Sequence, residues 1–117
     1  MTTHDRRAHP RLRVSYPVRL YPLHSMRVVD TLTKDLAVGG CRSLSAIVFP
    51  VASELRVEVV LPQGRAPITA KGQAVWFRSI PESEQFDVGI IFSDISEEDK
   101  RRLSACLQDS PANLALI

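Results

Sequence analysis

Leu55-Arg56-Val57-Glu58-Val59-Val60-Leu61 alternates apolar and polar positions with a period of two. Leu55, Val57, Val59 and Leu61 fall on one side and Arg56 and Glu58 on the other. That is the pattern of a strand with one face in a core and the other in water, and strands of this kind build antiparallel sheets. The flanking sequence supplies the partners. Pro62-Gln63-Gly64 is a turn signal that predicts a hairpin, and Ile68 to Phe77 reads as a long returning strand. It is rich in small residues (Ala70, Gly72, Ala74) and ends near the sole tryptophan, Trp76. Small side chains around a mid-strand glycine fit tight curvature at a barrel corner, and Trp76 reads as core or barrel rim. After a polar loop over 79–84, Phe86, Val88, Ile90 and Phe92 alternate along a last strand.

The period then changes. Ser96 reads as a helix N-cap, with Glu97, Glu98 and Asp99 in the first turn and Asp99 where a capping box usually has Glu. Leu103, Cys106 and Leu107 recur at helical spacing and Pro111 ends the segment, which predicts one helix of roughly three turns packed on the sheet. The apolar tail ending Leu114-Ala115-Leu116-Ile117 is expected to dock on the barrel or on a partner subunit.

Upstream, Val14, Tyr16, Val18 and Leu20 share one side of a strand. Pro17 faces outward, which predicts an edge strand or an end to pairing at that point. Tyr21 to His24 reads as a turn and Met26 to Thr33 as the second strand, with Asp35 at the corner that follows. Gly39-Gly40 marks a turn with positive φ or a close approach of backbone. Cys41 to Ile47 is the next strand. Together these segments predict a mainly β fold: a six-stranded antiparallel β-barrel with one C-terminal α-helix.

The 117 residues suit one domain, and 44% hydrophobic with 24% charged content excludes global disorder. A net charge of +2 excludes a general polyanion binder. Cys41 and Cys106 have no metal-ligand spacing, nothing points to an oxidising compartment, and both read as small buried hydrophobes. His4, His9 and His24 form no ligand set. With no apolar run of membrane length and no apolar stretch of signal-peptide type, a cytoplasmic protein is expected. Ser96 is a cap rather than a nucleophile, and no Ser/His/Asp or Cys/His set has a motif context. Neither an enzyme nor a cofactor is expected.

The basic character is local. In Arg6-Arg7-Ala8-His9-Pro10-Arg11-Leu12-Arg13, Pro10 disfavours helix, so the run reads as an extended, wrapping segment. Residues 1–13 are therefore expected to form a flexible arm and residues 14–117 the barrel with its helix. Arginine presents a planar fork of donors matched to phosphate oxygens or to the O6/N7 edge of guanine.

With these residues in view, the chain resembles the PilZ domain family of bacterial cyclic di-GMP receptors. Arg7-Ala8-His9-Pro10-Arg11 is similar to the family's RxxxR motif, and Asp35-Leu36-Ala37-Val38-Gly39-Gly40 to its (D/N)xSxxG motif. Trp76 and the strand Val88-Gly89-Ile90-Ile91-Phe92 resemble the closing strands. The resemblance implies the same six-stranded barrel, with cyclic di-GMP as ligand. It assigns Arg7, Arg11, Asp35 and Gly40 to the ligand site, with Arg6 and Arg13 as supporting contacts. Ala37 stands where the motif has serine, so one hydroxyl is missing; a neutral hydrogen bond contributes roughly 0.5–1.5 kcal/mol. The expected role is a receptor or adaptor whose arm is ordered by ligand and which signals through a protein partner, as monomer or homodimer. Nucleic acid is not the expected partner. The alternative is a protein-interaction module, or a small nucleic-acid-binding barrel, with weak or no cyclic di-GMP binding.

Overall fold

The computed structural model describes residues 11–62 and 66–108. Six strands, β1 (Pro17–Pro22), β2 (Val29–Ala37), β3 (Gly40–Ser45), β4 (Glu54–Val59), β5 (Ile68–Ser79) and β6 (Phe86–Ile95), precede one helix, α1 (Glu97–Gln108). The strands close into a barrel in the order β1-β2-β3-β6-β5-β4, every pair antiparallel. This is the expected six-stranded barrel with a C-terminal helix.

The opening stretch explains how the barrel closes. On β4, Leu55, Val57 and Val59 are buried. They stand opposite Gly72, Ala70 and Ile68 on β5. On the other side Val57 and Val59 meet Leu20 and Val18 of β1. Setting Leu55 and Val57 against the small Gly72 and Ala70 lets the wall curve there without overfilling the interior. The register of β5 against β6 also shifts at Lys71/Gly72 and again at Ala74/Trp76, where bulges tighten the bend.

Three expectations need correction. β1 is no edge strand, because it pairs with β2 and β4 at once. Pro17 is tolerated as the strand's first residue, where its carbonyl still accepts from Val60 N at 2.9 Å. β2 starts later and ends later than the pattern suggests. Ser25 Oγ captures Arg27 N at 3.1 Å and Met26 is exposed, so that segment belongs to the loop. Asp35 then lies inside β2 rather than at a corner. Finally, Leu12 is buried and exchanges two backbone hydrogen bonds with Leu36, at 3.0 and 2.9 Å, so the anchored chain begins before residue 14. The turn residues 63–65, the arm residues 1–10 and the apolar tail lie outside the described residues.

Helix α1 closes one end of the barrel. Ser96 Oγ accepts from Asp99 N at 3.1 Å, the expected cap. Asp99 makes a different bond from the one a capping box would give it. Its Oδ2 accepts from Thr69 N of β5 at 3.1 Å and its Oδ1 from Arg102 at 3.0 Å. Arg102 also donates to Ala66 O. The first turn is thereby tied to the wall, and Leu103, Cys106 and Leu107 enter the core. Cys41 and Cys106 are free thiols in that core. Burial pushes the Cys41 thiol up to about 11, which keeps it protonated at neutral pH.

Leu103 is fully buried and Leu107 nearly so. Leu103→Ala and Leu107→Ala should each lose roughly 2–5 kcal/mol of stability in urea titrations, the range for cavity-forming core truncations. Arg101→Ala, on the exposed face, should change little. Unchanged midpoints for both leucine variants would contradict the packing.

Candidate functional site

One extra residue in β2 creates the site. Thr33 stands opposite Ser43, but the next pair is Asp35 with Arg42, so Lys34 is an inserted, bulged residue. A bulge reverses which face later side chains occupy. Leu36 therefore enters the core opposite Cys41, and Asp35 emerges on the outer wall beside Arg42. Without the bulge the carboxylate would face the core and Leu36 the solvent.

Asp35 sits between two guanidinium groups. Its Oδ1 accepts from Arg11 Nη1 at 3.3 Å, and its Oδ2 lies 3.0 Å from Arg42 Nε. The arginines cover it, leaving the residue 7% exposed, while about a quarter of each arginine side chain stays in contact with solvent. The row continues across the wall: Arg42 pairs with Gly89 of β6, and Gly89 with Trp76 of β5. A Cβ on Gly89 would overlap the indole of Trp76, which lies on that backbone at the barrel surface, 36% exposed. Arg78 stands over the same ring at 5.9 Å.

A second carboxylate anchors the next row. Asp87 is buried and accepts from Lys34 Nζ at 2.8 Å and from Arg78 Nη2 at 3.5 Å. Burial opposes its charged form, but Lys34 and then Arg78 outweigh that, and its pKa lies below the ordinary value. Arg11, Lys34, Arg42 and Arg78 set against Asp35 and Asp87 leave two positive charges on this face. Buried acids hold partly exposed cations beside an aromatic ring. Such a surface suits a flat anion, with guanidinium forks for phosphate or base edges and planar faces for stacking.

Of the residues singled out from sequence, Arg11 and Asp35 are brought into contact. Ala37 lies two residues beyond Asp35 on the same face of β2 and is buried. Gly40 pairs with Ala37 across the two-residue turn formed by Val38 and Gly39. Close approach is what Gly40 provides: a Cβ there would overlap the Ile90 carbonyl oxygen. Arg13 is exposed. Arg6 and Arg7 lie outside the described residues. Sequence reasoning missed Arg42, Lys34, Arg78 and Asp87. Arg42 carried a readable signal, since a two-residue turn at 38–39 places residue 42 opposite residue 35. Among the described residues no group of His, Cys, Asp and Glu could hold a metal, and no helix is long and apolar enough to cross a membrane.

A family model for the PilZ domain matches residues 5–109. No curated protein matches the chain in sequence. Solved structures do resemble it. The Bacillus subtilis inhibitor of motility MotI/DgrA superposes with a TM-score of 0.76 at 21% identity, over 88% of this chain and 50% of that one. The PilZ domain of Escherichia coli YcgR with c-di-GMP gives 0.70 at 15% identity, over 96% and 99%. MrkH, a c-di-GMP-dependent transcription regulatory factor, gives 0.72 at 18% identity, over 89% and 50%. At these identities the likeness is one of fold, and this chain spans about half the length of MotI and of MrkH.

Two measurements test the geometry of the wall. Gly89→Ala should displace the Trp76 ring and shift the protein's tryptophan emission while leaving the fold intact. Gly40→Ala, which meets backbone instead, should lower the melting temperature markedly. The depressed Asp87 pKa has a defined pH signature. A carboxylate whose folded pKa lies below its unfolded value adds stability above the unfolded value, about 4, and loses it as pH falls through the folded one. The stability advantage of wild type over Asp87→Asn should be constant near neutrality and shrink only below about pH 4.

Proposed function

The chain belongs to the PilZ domain family, and from that membership we propose that it is a cyclic di-GMP receptor that passes the signal to a protein partner. The observation that carries this reading is the Arg11–Asp35–Arg42 cluster. It joins one position of each family motif on a single cationic, aromatic-flanked face. Cyclic di-GMP has two guanines and two phosphates. In the proposed complex Arg11 and Arg42, steadied by Asp35, face guanine N7/O6 edges and phosphate oxygens. Arg7, with Arg6 in support, closes over the ligand from the arm, so that ligand orders residues that precede the anchored Leu12. Gly40 keeps the floor of the site low. The domain acts by binding, as a non-catalytic cytoplasmic adaptor, and its output is the altered surface offered to the partner.

Ala37 favours a second reading. Without the motif's hydroxyl, binding is weaker by an amount that one neutral hydrogen bond sets, up to about tenfold. A chain that binds too weakly would serve as an interaction module.

Calorimetric titration separates the readings. A receptor binds cyclic di-GMP in preference to GMP or GTP, whereas a backbone-binding barrel prefers longer polyanions and loses affinity steeply with salt. Arg7→Ala and Arg11→Ala should each weaken cyclic di-GMP binding by about ten- to a hundredfold, the range for a charge-assisted hydrogen bond. Arg13→Ala should change it little, and Ala37→Ser should tighten it by up to about tenfold. Equal losses at Arg7, Arg11 and Arg13 would mean diffuse attraction rather than a shaped site.

A further inference from the structure

We infer that Thr33 is a positioning residue that aims Arg11 into the site, through a hydroxyl that fills a break in the pairing between β2 and the segment that leads into β1. This inference rests on the cyclic di-GMP reading for its ligand, though not for its geometry. The chain leading into β1 is in register with β2 at Pro17 with Leu32 and again at Leu12 with Leu36. Between those points the leading segment advances five residues and β2 only four, so regular hydrogen bonding is interrupted. Thr33 sits at the interruption, 1% exposed. Its Oγ1 donates to Val14 O at 2.5 Å and accepts from Tyr16 N at 3.0 Å, while its own N–H donates to Tyr16 O at 3.0 Å. A single hydroxyl thus supplies both the donor and the acceptor that the broken ladder lacks.

The consequence reaches Arg11. Continued in the register of Pro17 with Leu32, the leading segment would bring Arg13, not Leu12, opposite the core residue Leu36. Arg11 would then leave Asp35. The slip at Thr33 instead sets Leu12, which alternation already turns inward with Val14 and Val18, opposite Leu36, and lays Arg11 against the carboxylate. Thr33 touches neither charge and sits outside both motif stretches; it acts on the site through the path of the backbone.

The test compares Thr33→Val, which keeps the shape and removes both hydroxyl bonds, with Thr33→Ser, which keeps them. Cyclic di-GMP affinity and amide exchange are measured for the full chain. Thr33→Val should weaken binding by about tenfold or more, and Thr33→Ser by less than about threefold. The Leu12 and Tyr16 amides should lose protection in Thr33→Val while the Ile90 amide keeps it. In an Arg11→Ala background the Thr33→Val loss should largely vanish, because the aimed group is gone. A merely structural role would add to the Arg11→Ala loss in full, and that result would overturn the inference. So would wild-type affinity in Thr33→Val despite an unprotected arm. If wild type binds no cyclic di-GMP while Leu12 protection still depends on the hydroxyl, the ligand reading fails and the arm clamp stands. Should Thr33→Val fail to fold, Thr33→Cys, with a weaker donor, makes the same comparison against Thr33→Ser.

Discussion

The bulge at Lys34 is the constraint from which the site follows. β2 must satisfy two demands along a few residues: Thr33 and Leu36 face the interior, and Asp35 faces out. Strict alternation cannot place residues 33 and 36 on one face, because they differ by an odd number. An inserted residue can. The hydrophobic effect decides in its favour, since full burial of a leucine contributes about 1.5–3 kcal/mol. The displaced residue, Lys34, then reaches Asp87 on β6 and becomes part of the cationic face.

The electrostatics depend on that geometry. Asp35 and Asp87 are poorly solvated carboxylates, each held by two cations from separate segments of the chain. Removing one partner from such a group is costly, whereas the pair as a whole adds little net stability. The arrangement therefore makes more sense as positioning than as glue. It holds arginine side chains in place at the surface, which in the proposed receptor would lower the entropy that ligand binding must overcome. Gly40 and Gly89 complete it by letting a strand backbone and an indole ring approach where any side chain would intrude.

The barrel also joins the site to the rest of the molecule. Leu12 pairs with Leu36, Val14 and Tyr16 are held by Thr33, and Tyr16 approaches Cys106 of α1 with an oxygen–sulfur distance of 3.7 Å. The segment that carries Arg11 thus runs between the cationic face and the helix that closes the barrel.

Much of this was determined by the amino-acid order alone. Period-two alternation in β4 and β6, the small residues of β5 and the cap at Ser96 identify a six-stranded barrel with a terminal helix, because those signals are local. Arg11, Asp35, Ala37 and Gly40 were legible as a motif pair. Tertiary structure alone decided that Asp35 lies within β2, that β1 has neighbours on both sides, and that Lys34, Arg78 and Asp87 share one cluster. A bulge leaves no mark in composition, and barrel closure joins β1 to β4 across a long stretch of intervening chain. Contacts between residues so far apart are set by how the whole sheet curves and packs, which no local pattern encodes.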